Sequence, residues 1–186
     1  MNARKLLFWS GVALVAAVVA AGAGAGTAKR SSVTTVKAVT KPPTMQVNRY
    51  IQDNLHWNKD VYTVQSGWTI HVVNMAADEG PHTFTIVKKA DAPKTGLQVA
   101  NCRICNAMAK AHGADPNSDA PPKYPFVEDG VGQQTPPNID KPGDSGVTGK
   151  GKKGESIDLP VTAAPGTKLW MMCVIHPWMQ AEIDVS

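Results

Sequence analysis

Two short β-strand patterns near the end of the chain enclose a loop rich in sulfur and imidazole. The first pattern is residues 168–172 (KLWMM), the loop is residues 173–179 (CVIHPWM), and the second pattern is residues 181–185 (AEIDV). Apolar and acidic side chains alternate in the second pattern, which is typical of a strand with one buried face. The loop therefore brings a thiol, an imidazole and a thioether together between two predicted strands.

Four further strand patterns precede this segment and indicate an all-β sandwich. Residues 61–64 and 68–74 flank a Gln-Ser-Gly turn, and residues 82–87 follow a Gly-Pro turn. Residues 155–160 alternate apolar and polar side chains ahead of a Pro-Gly turn. Short strands rich in β-branched and aromatic residues, separated by Gly and Pro turns, are typical of two packed antiparallel sheets.

The sandwich pattern is interrupted between residues 88 and 154. Residues 97–112 have apolar side chains at helical spacing, with Asn101 as the candidate N-cap and Gly113 at a position that stops a helix. Residues 116–154 are dense in Pro, Gly, Asp and Lys. The sequence therefore predicts a long insertion, partly helical or irregular, that packs on the surface of the sandwich.

The donor groups of the loop point to copper. Thiolate and thioether sulfur together with imidazole suit this metal, and two His with one Cys and a weak axial Met form a site used for electron transfer. Cys173, His176 and Met179 supply three of these groups. The second imidazole has to come from another strand, and His82 is well placed because it opens the strand after the Gly-Pro turn. These four residues are the predicted copper ligands.

Two blocks of the sequence resemble the cupredoxin, or type 1 blue copper, family. The first runs through residues 64–84 and ends with Pro-His-Thr-Phe, and the second runs through residues 154–185 and contains Cys-x2-His-x2-Met. The short spacing of the second motif is similar to that of amicyanin more than to that of plastocyanin. The resemblance implies a cupredoxin-like Greek-key β-sandwich that holds one copper ion and carries single electrons between redox partner proteins.

The resemblance also implies a role for each ligand. Cys173 would bind as a thiolate, with His82 and His176 completing a plane, and Met179 would be a long axial contact that helps set the potential. A catalytic copper would need an open coordination position, which Met179 argues against, so we do not expect an enzyme. A binuclear copper centre would need a second Cys near Cys173, and no base accompanies that residue as a nucleophile would require.

Residues beside the ligands have expected roles as well. Asn74 and the backbone around Thr83 are candidates for hydrogen bonds that orient the ligands and tune the metal. Pro177 and Trp178 would form an apolar rim near His176. In the family, the exposed edge of the corresponding imidazole is the exit for the electron.

A second pair of sulfur atoms, Cys102 and Cys105, leaves three alternatives open. The pair can form a disulfide, remain as free thiols or bind a second soft metal with His112, which approaches the same face of the predicted helix. An oxidising compartment favours the disulfide. A second metal site would instead favour an alternative function, the storage or delivery of copper.

The beginning of the chain has the layout of an export signal. Arg4 and Lys5 precede a run of 20 residues from Leu6 to Ala25 that lacks charge and ends in small residues. Residues 1–28 are therefore predicted to be a cleaved signal peptide or an uncleaved membrane anchor. Both alternatives place the rest of the chain outside the cytoplasm, in the periplasm, in the extracellular space or on the outer side of a membrane.

Composition sets the remaining limits. The 186 residues carry a formal net charge of +4, and the loss of residues 1–28 with their two basic side chains would lower it to about +2. Such a weak excess, without a basic stripe, does not indicate nucleic-acid binding. Residues 29–44 lack a sustained period and are predicted to be a linker, so residues 45–186 would form the copper-binding domain.

Overall fold

Strands dominate the regular structure of the chain. The computed structural model describes residues 32–76, 79–115 and 120–186, and the predicted export segment, residues 1–28, lies outside them. Within the described residues the strands are β1 (Val33–Val39), β2 (Thr44–Gln46), β3 (Tyr50–Gln52), β4 (His56–Trp57), β5 (Val61–Val64), β6 (Thr69–Asn74), β7 (Thr83–Val87), β8 (Phe126–Glu128), β9 (Val131–Gln133), β10 (Ser145–Val147), β11 (Ser156–Pro160), β12 (Lys168–Met172) and β13 (Gln180–Val185). The helices are α1 (Gly96–Ala100) and α2 (Arg103–Ala111). Neither of these helices has the length and apolar character needed to cross a membrane.

Two sheets form the layers of a sandwich. One has four strands in the order β11-β6-β1-β4, and the other has seven in the order β5-β13-β12-β7-β10-β8-β9. Strand β1 pairs in parallel with β6, and β5 pairs in parallel with β13. The other pairings of described strands are antiparallel, including the exposed hairpin of β2 and β3. The prediction of an all-β sandwich is confirmed.

The core lies between the sheets, and several of its strands bury alternate side chains. Strands β6 and β13 alternate between partly exposed and buried residues along their whole length. Ile70 and Val72 of β6 and Ile183 of β13 belong to one continuous apolar cluster. Complete burial of an Ile or Val side chain contributes about 1.5–3 kcal/mol, so this alternation fixes which face of each strand turns inward.

Strand β1 corrects the linker prediction for part of residues 29–44. Residues 33–39 lie between β6 and β4 in the four-stranded sheet, where Val36 is paired with Val72. Val36 and Ala38 are fully buried. The sequence pattern of this segment is weakly apolar, because one of its two buried side chains is Ala. Pairing with the neighbouring strands stabilises it more than the β-propensity of its own residues does.

The insertion at residues 88–154 adds strands as well as helices. Strand β10 pairs with β7, and β8 and β9 extend the same sheet. The predicted helix at residues 97–112 is divided in two, because Asn101 ends α1 and the Cys102 side chain caps α2. The prediction that Asn101 is an N-cap is therefore wrong, and Thr95 has that role for α1.

Helix α2 covers the outer face of the seven-stranded sheet. Its buried side chains, Cys105 and Met108, belong to one apolar cluster with Val87 and Met172 of the sheet. Met171, the neighbour of Met172 on β12, belongs instead to the core between the sheets. The insertion thus creates a second apolar layer on the face of the sheet that the sandwich core leaves uncovered.

Candidate metal centre

The loop between β12 and β13 is a tight turn held by its own backbone. The N–H of Cys173 donates to the carbonyl of Met179 over 3.0 Å, and the N–H of Met179 donates to the carbonyl of His176 over 2.9 Å. The side chain of Gln180 donates to the carbonyl of Pro177 over 2.8 Å. These bonds hold the three predicted ligands of the loop within one turn.

Strand pairing brings His82 beside this loop. Strands β7 and β12 are antiparallel neighbours with Thr85 opposite Met172, so the beginning of β7 lies next to the end of β12. The backbone N–H of His82 donates to the hydroxyl of Thr148 over 3.1 Å, and its carbonyl accepts from the Thr148 N–H over 2.9 Å. The His82 side chain is fully buried, so its ring has a fixed position next to Cys173.

The side chains of His82, Cys173 and His176 converge on one point. The Sγ of Cys173 lies 4.0 Å from the Nδ1 of His82 and 3.7 Å from the Nδ1 of His176. The donor atoms of the three side chains lie within 4.8 Å of one another, and no other His, Cys, Asp or Glu side chains of the described residues form such a group. The structure therefore brings together three of the four predicted ligands as a group that could hold a metal ion.

The spacing of these donors fits a single ion. Bonds of about 2.0 Å to nitrogen and about 2.3 Å to sulfur, as at zinc sites, separate the two atoms by about 3.7 Å when they meet at about 120°. The Sγ–Nδ1 distances of 3.7 and 4.0 Å in this chain match that separation. The donor set, one thiol and two imidazoles, is also the one that suits copper.

Burial keeps both imidazoles neutral, as metal ligands must be. Loss of solvent lowers the pKa of His82 to about 4; the neighbouring His176 adds to this effect, and the backbone of Ala76 opposes it. Burial also lowers the pKa of His176, partly offset by the charge of Asp53 and the backbone of Glu79. At neutral pH each ring therefore has a nitrogen lone pair available for a metal.

Hydrogen-bond donors surround the buried sulfur of Cys173. The N–H of Thr83 donates to Sγ over 3.3 Å. Burial raises the pKa of the thiol, and the backbones of Thr83, His176 and Ile175 lower it by less than burial raises it. The thiol is therefore neutral in the absence of a metal, and a bound cation is what favours the thiolate.

His176 connects the buried donors with the surface. Its ring is partly exposed and meets the edge of the Trp178 ring at 5.5 Å between centroids and 67° between planes. Trp178 and Ile175 are 42% and 44% exposed, whereas Pro177 is buried. The apolar rim expected near His176 is thus present, with Ile175 in place of Pro177.

The two residues predicted to support the ligands differ in what they do. Thr83 contacts the sulfur directly, as predicted for its backbone. The Asn74 side chain instead donates to the carbonyl of Gly80 over 2.9 Å and accepts from the N–H of Ala76 over 2.9 Å. Asn74 therefore holds the turn that leads to His82 and acts on that ligand through the backbone.

Met179 lies in the core, and its role as an axial ligand stays a prediction. Its side chain is 1% exposed. Its carbonyl accepts a hydrogen bond of 3.1 Å from the indole N–H of Trp57 on β4. Sequence reasoning missed Trp57 and Thr148, because neither belongs to the motif that carries the ligands and only the folded chain brings them to it.

The alternative of a second metal site around Cys102, Cys105 and His112 is wrong for this structure. Cys102 and Cys105 form a disulfide, so neither offers a thiolate. Both ring nitrogens of His112 are occupied, Nδ1 with the carbonyl of Tyr124 and Nε2 with the hydroxyl of Ser145. The disulfide is one of the three alternatives that the sequence left open.

Comparisons with known proteins show similarity at the level of solved structures. No family model matches the chain, and no curated protein matches it. Auracyanin A, a "blue" copper protein from Chloroflexus aurantiacus, is 16% identical, with 83% of this chain and 98% of that chain covered and a TM-score of 0.42. A purple cupredoxin from Nitrosopumilus maritimus is 10% identical, with 82% and 98% covered and a TM-score of 0.38. The oxidised plastocyanin of Dryopteris crassirhizoma is 14% identical, with 82% and 100% covered and a TM-score of 0.37.

The solved structures that this chain resembles are cupredoxins.

Proposed function

We propose that this chain is an exported type 1 copper protein that carries single electrons between redox partner proteins. The observation that carries the proposal is the convergence of one thiol and two neutral imidazoles, with Sγ–Nδ1 distances of 3.7 and 4.0 Å. A soft sulfur donor with two imidazoles is a copper-binding set of the kind found in electron-transfer sites. The apolar run near the beginning of the chain supports export.

In this proposal each side chain has a separate task. Cys173 binds as the thiolate, His82 and His176 bind through neutral nitrogen atoms, and Met179 supplies a weak axial thioether. Bound copper would supply a one-electron couple. The surrounding hydrogen bonds hold the ligand loop, the backbone of His82 and the sulfur of Cys173 in place, so that these groups need to move little when the charge of the centre changes.

The partly exposed edge of His176 is the proposed route for the electron. His82 and Cys173 are fully buried, whereas His176 is partly exposed and meets the ring of the exposed Trp178. An apolar rim can be desolvated at low cost when another protein covers it. We therefore place the contact with redox partners, which are not identified, at this rim.

The absorption spectrum of the copper-loaded protein tests the proposal. We expect an intense visible band from the thiolate–copper bond and one copper ion per chain. The band should disappear in Cys173→Ser and weaken strongly in His82→Gln. His71→Gln is the matched control, because His71 lies on the surface of β6 with Asp158 as its partner. Survival of the band in Cys173→Ser, or its absence from the unmodified chain, would contradict the proposal.

A second measurement on the copper-loaded protein distinguishes an electron carrier from a copper enzyme. An enzyme needs an open coordination position, which azide or another small anion would occupy. We expect the visible spectrum to be unchanged by added azide, and reversible oxidation and reduction to leave the bound copper in place. An azide-dependent band would favour the enzyme.

A further inference from the structure

The first residues of the insertion at 88–154 meet β12 and β13 beside the ligand loop. The Nζ of Lys89 lies 4.0 Å from the centre of the Trp170 ring on β12 and 3.5 Å from the carboxylate of Glu182 on β13. Pro93, a few residues further along, is buried. A cation over the face of an indole is attracted to the ring, so these contacts hold the beginning of the insertion next to both strands.

Gln180 joins this part of the insertion to the ligand loop. It is the first residue of β13 and is partly exposed. Its Nε2 donates to the carbonyl of Pro93 over 2.8 Å and to the carbonyl of Pro177 over 2.8 Å. Its Oε1 accepts from the indole N–H of Trp170 over 3.2 Å. One side chain thus connects the insertion, the ligand loop and β12.

The partners of Gln180 allow one orientation of its amide. A carbonyl can only accept and an indole N–H can only donate. The NH2 group has two hydrogens, one for each carbonyl, so the amide oxygen must face Trp170. Exchange of the nitrogen and the oxygen would place an acceptor against two other acceptors. A side chain without an NH2 group therefore cannot make the bonds to Pro93 and Pro177.

The two ends of the ligand loop meet the insertion in different ways. Near the beginning of the loop, Val174 belongs to the apolar cluster that α2 covers. Near its end, the exposed Trp178 lines an open cavity of about 470 Å³ together with Gln180 and residues 93–96. The Trp178 side chain thus leaves space beside the insertion, and the hydrogen bonds of Gln180 connect the two segments at this point.

His176 is the predicted ligand that these bonds affect most directly. The His82 side chain is fully buried, and its backbone is bonded to Thr148. His176 is partly exposed and immediately precedes Pro177. A displacement of the Pro177 carbonyl would therefore move His176 through the peptide bond that the two residues share, whereas His82 lies on another strand.

We infer that the insertion holds the ligand loop in place through Gln180, which is a positioning residue for His176. The inference rests on the proposed function only where copper is used to detect the effect. The hydrogen bonds themselves belong to this chain with or without a metal.

Two substitutions of Gln180 and a matched control test the inference. Gln180→Met has a similar length and removes the NH2 group and the amide oxygen. Gln180→Glu keeps an acceptor for Trp170 but has no donor at neutral pH, and it replaces Gln180→Met if that variant does not fold. Gln134→Met is the control, because the exposed Gln134 donates to the carbonyl of Lys123 over 3.2 Å within the insertion.

Pro93→Gly tests the part that the insertion plays. Gly removes the constraint that the proline ring places on the backbone, so the carbonyl of residue 93 can move while Gln180 stays unchanged. If the insertion acts through Gln180, Pro93→Gly should affect His176 in the unmodified chain. Added to Gln180→Met, it should have no further effect on His176.

The first measurement is the NMR spectrum of the metal-free protein. The amides of Lys94 and Trp178 share peptide groups with the carbonyls that accept from Gln180. We expect both amide resonances to shift in Gln180→Met and in Gln180→Glu, and to keep their positions in Gln134→Met. Unchanged resonances in both Gln180 variants would overturn the inference.

The imidazole resonances in the same spectra show whether the effect reaches the ligand. Those of His176 should shift in Gln180→Met, and those of His82 should shift less. Pro93→Gly should also move the His176 resonances, but only while the Gln180 amide is present. A response of His176 to Pro93→Gly that is equally large in the Gln180→Met background would overturn the inference.

The second measurement is the affinity for copper. A loop that is less well ordered before binding lowers the affinity by the fraction of chains in the competent arrangement. Gln180→Met should therefore bind copper about two- to tenfold more weakly, the range that the loss of one hydrogen bond allows, and Gln134→Met should bind it like the unmodified chain. A purely structural role would lower the unfolding midpoint of Gln180→Met and leave the affinity of the folded protein unchanged, which would overturn the inference. If the unmodified chain binds no copper, the proposed function fails and the metal-free spectra still decide the role of Gln180.

Discussion

The indole N–H of Trp57 donates to the carbonyl of Met179 over 3.1 Å and so joins residues 122 positions apart in the chain. Trp57 lies on β4 in the four-stranded sheet, whereas Met179 ends the ligand loop of the seven-stranded sheet. The same carbonyl also accepts from the N–H of Cys173. One buried oxygen thus ties the loop to itself and to the opposite sheet.

Replacing Trp57 with Phe should loosen this connection. Trp57→Phe keeps an aromatic ring but removes the donor, and the loss of one buried hydrogen bond costs about 1 kcal/mol, with a further cost for the smaller ring. We expect a lower free energy of unfolding of the metal-free protein in urea and a weaker or broader visible copper band.

Trp68→Phe is the matched control for this change. Trp68 packs against the same core and precedes β6, at the end of that strand opposite to Asn74. We expect it to lower the stability without a change in the visible band. An identical spectrum for Trp57→Phe and the unmodified chain would mean that the indole bond does not position the ligands.

Much of the fold can be predicted from alternation alone. The strands around residues 61–64, 68–74 and 181–185 were placed correctly because each carries a clear period of two. The sequence does not predict β1 and β10, because pairing with neighbouring strands, and not their own sequence pattern, stabilises them. In β10 the middle residue is Gly146, where a Cβ would come within 2.6 Å of the Ile157 side chain, and such a position has no apolar signal to detect.

The side chains that could bind the metal can be predicted from the sequence, but the residues that hold them in place cannot. Cys173 and His176 belong to one sequence motif. His82 could be found because the Gly-Pro turn before it marks the beginning of a strand. The groups that hold them, such as Trp57 and Thr148, come from distant segments whose local sequence says nothing of the site. Hydrogen bonds between distant segments depend on which strands pair and in which register, and the local pattern of either segment alone does not show this.

Reduction of the Cys102–Cys105 disulfide should affect stability and not the metal. The bridge closes a loop with a sequence separation of 3, and the chain-entropy relation gives a loop of this size a stabilisation of about 2 kcal/mol. We expect a loss of this order in the unfolding free energy of Cys102→Ala/Cys105→Ala, measured in urea. The copper content and the visible band should match those of the unmodified protein. Loss of a second copper equivalent in this variant would restore the storage alternative.

Acid should destabilise the metal-free protein through its buried histidines. Because the pKa of His82 falls from its ordinary value of 6.5 to about 4 on folding, the unfolded chain binds more protons between these values. The stability is therefore complete above about pH 6.5 and is lost as the pH falls toward 4, by roughly 3 kcal/mol from this residue. The pKa values of His112 and His176 are lowered too, so both act in the same direction.

Urea unfolding of the metal-free protein between pH 7 and pH 5 measures this dependence. His82→Gln should flatten the slope of unfolding free energy against pH, because Gln does not titrate. Trp68→Phe, which changes no titratable group, is the control and should leave the slope nearly unchanged. A stability that stays constant or increases as the pH falls would contradict the burial of neutral imidazoles.

The predicted role of Met179 as an axial ligand can be tested by substitution. Met179→Leu conserves volume, so it should cost less than about 1.5 kcal/mol in stability, and the thiolate–copper band should persist because Cys173, His82 and His176 remain. A thioether donates electron density to the oxidised metal more than to the reduced one, so its removal should raise the potential. A tenfold change in relative affinity corresponds to about 59 mV.

Met108→Leu is the matched control, since Met108 is a buried Met on α2. An equal potential in both variants would show that Met179 is a core residue and not an axial ligand.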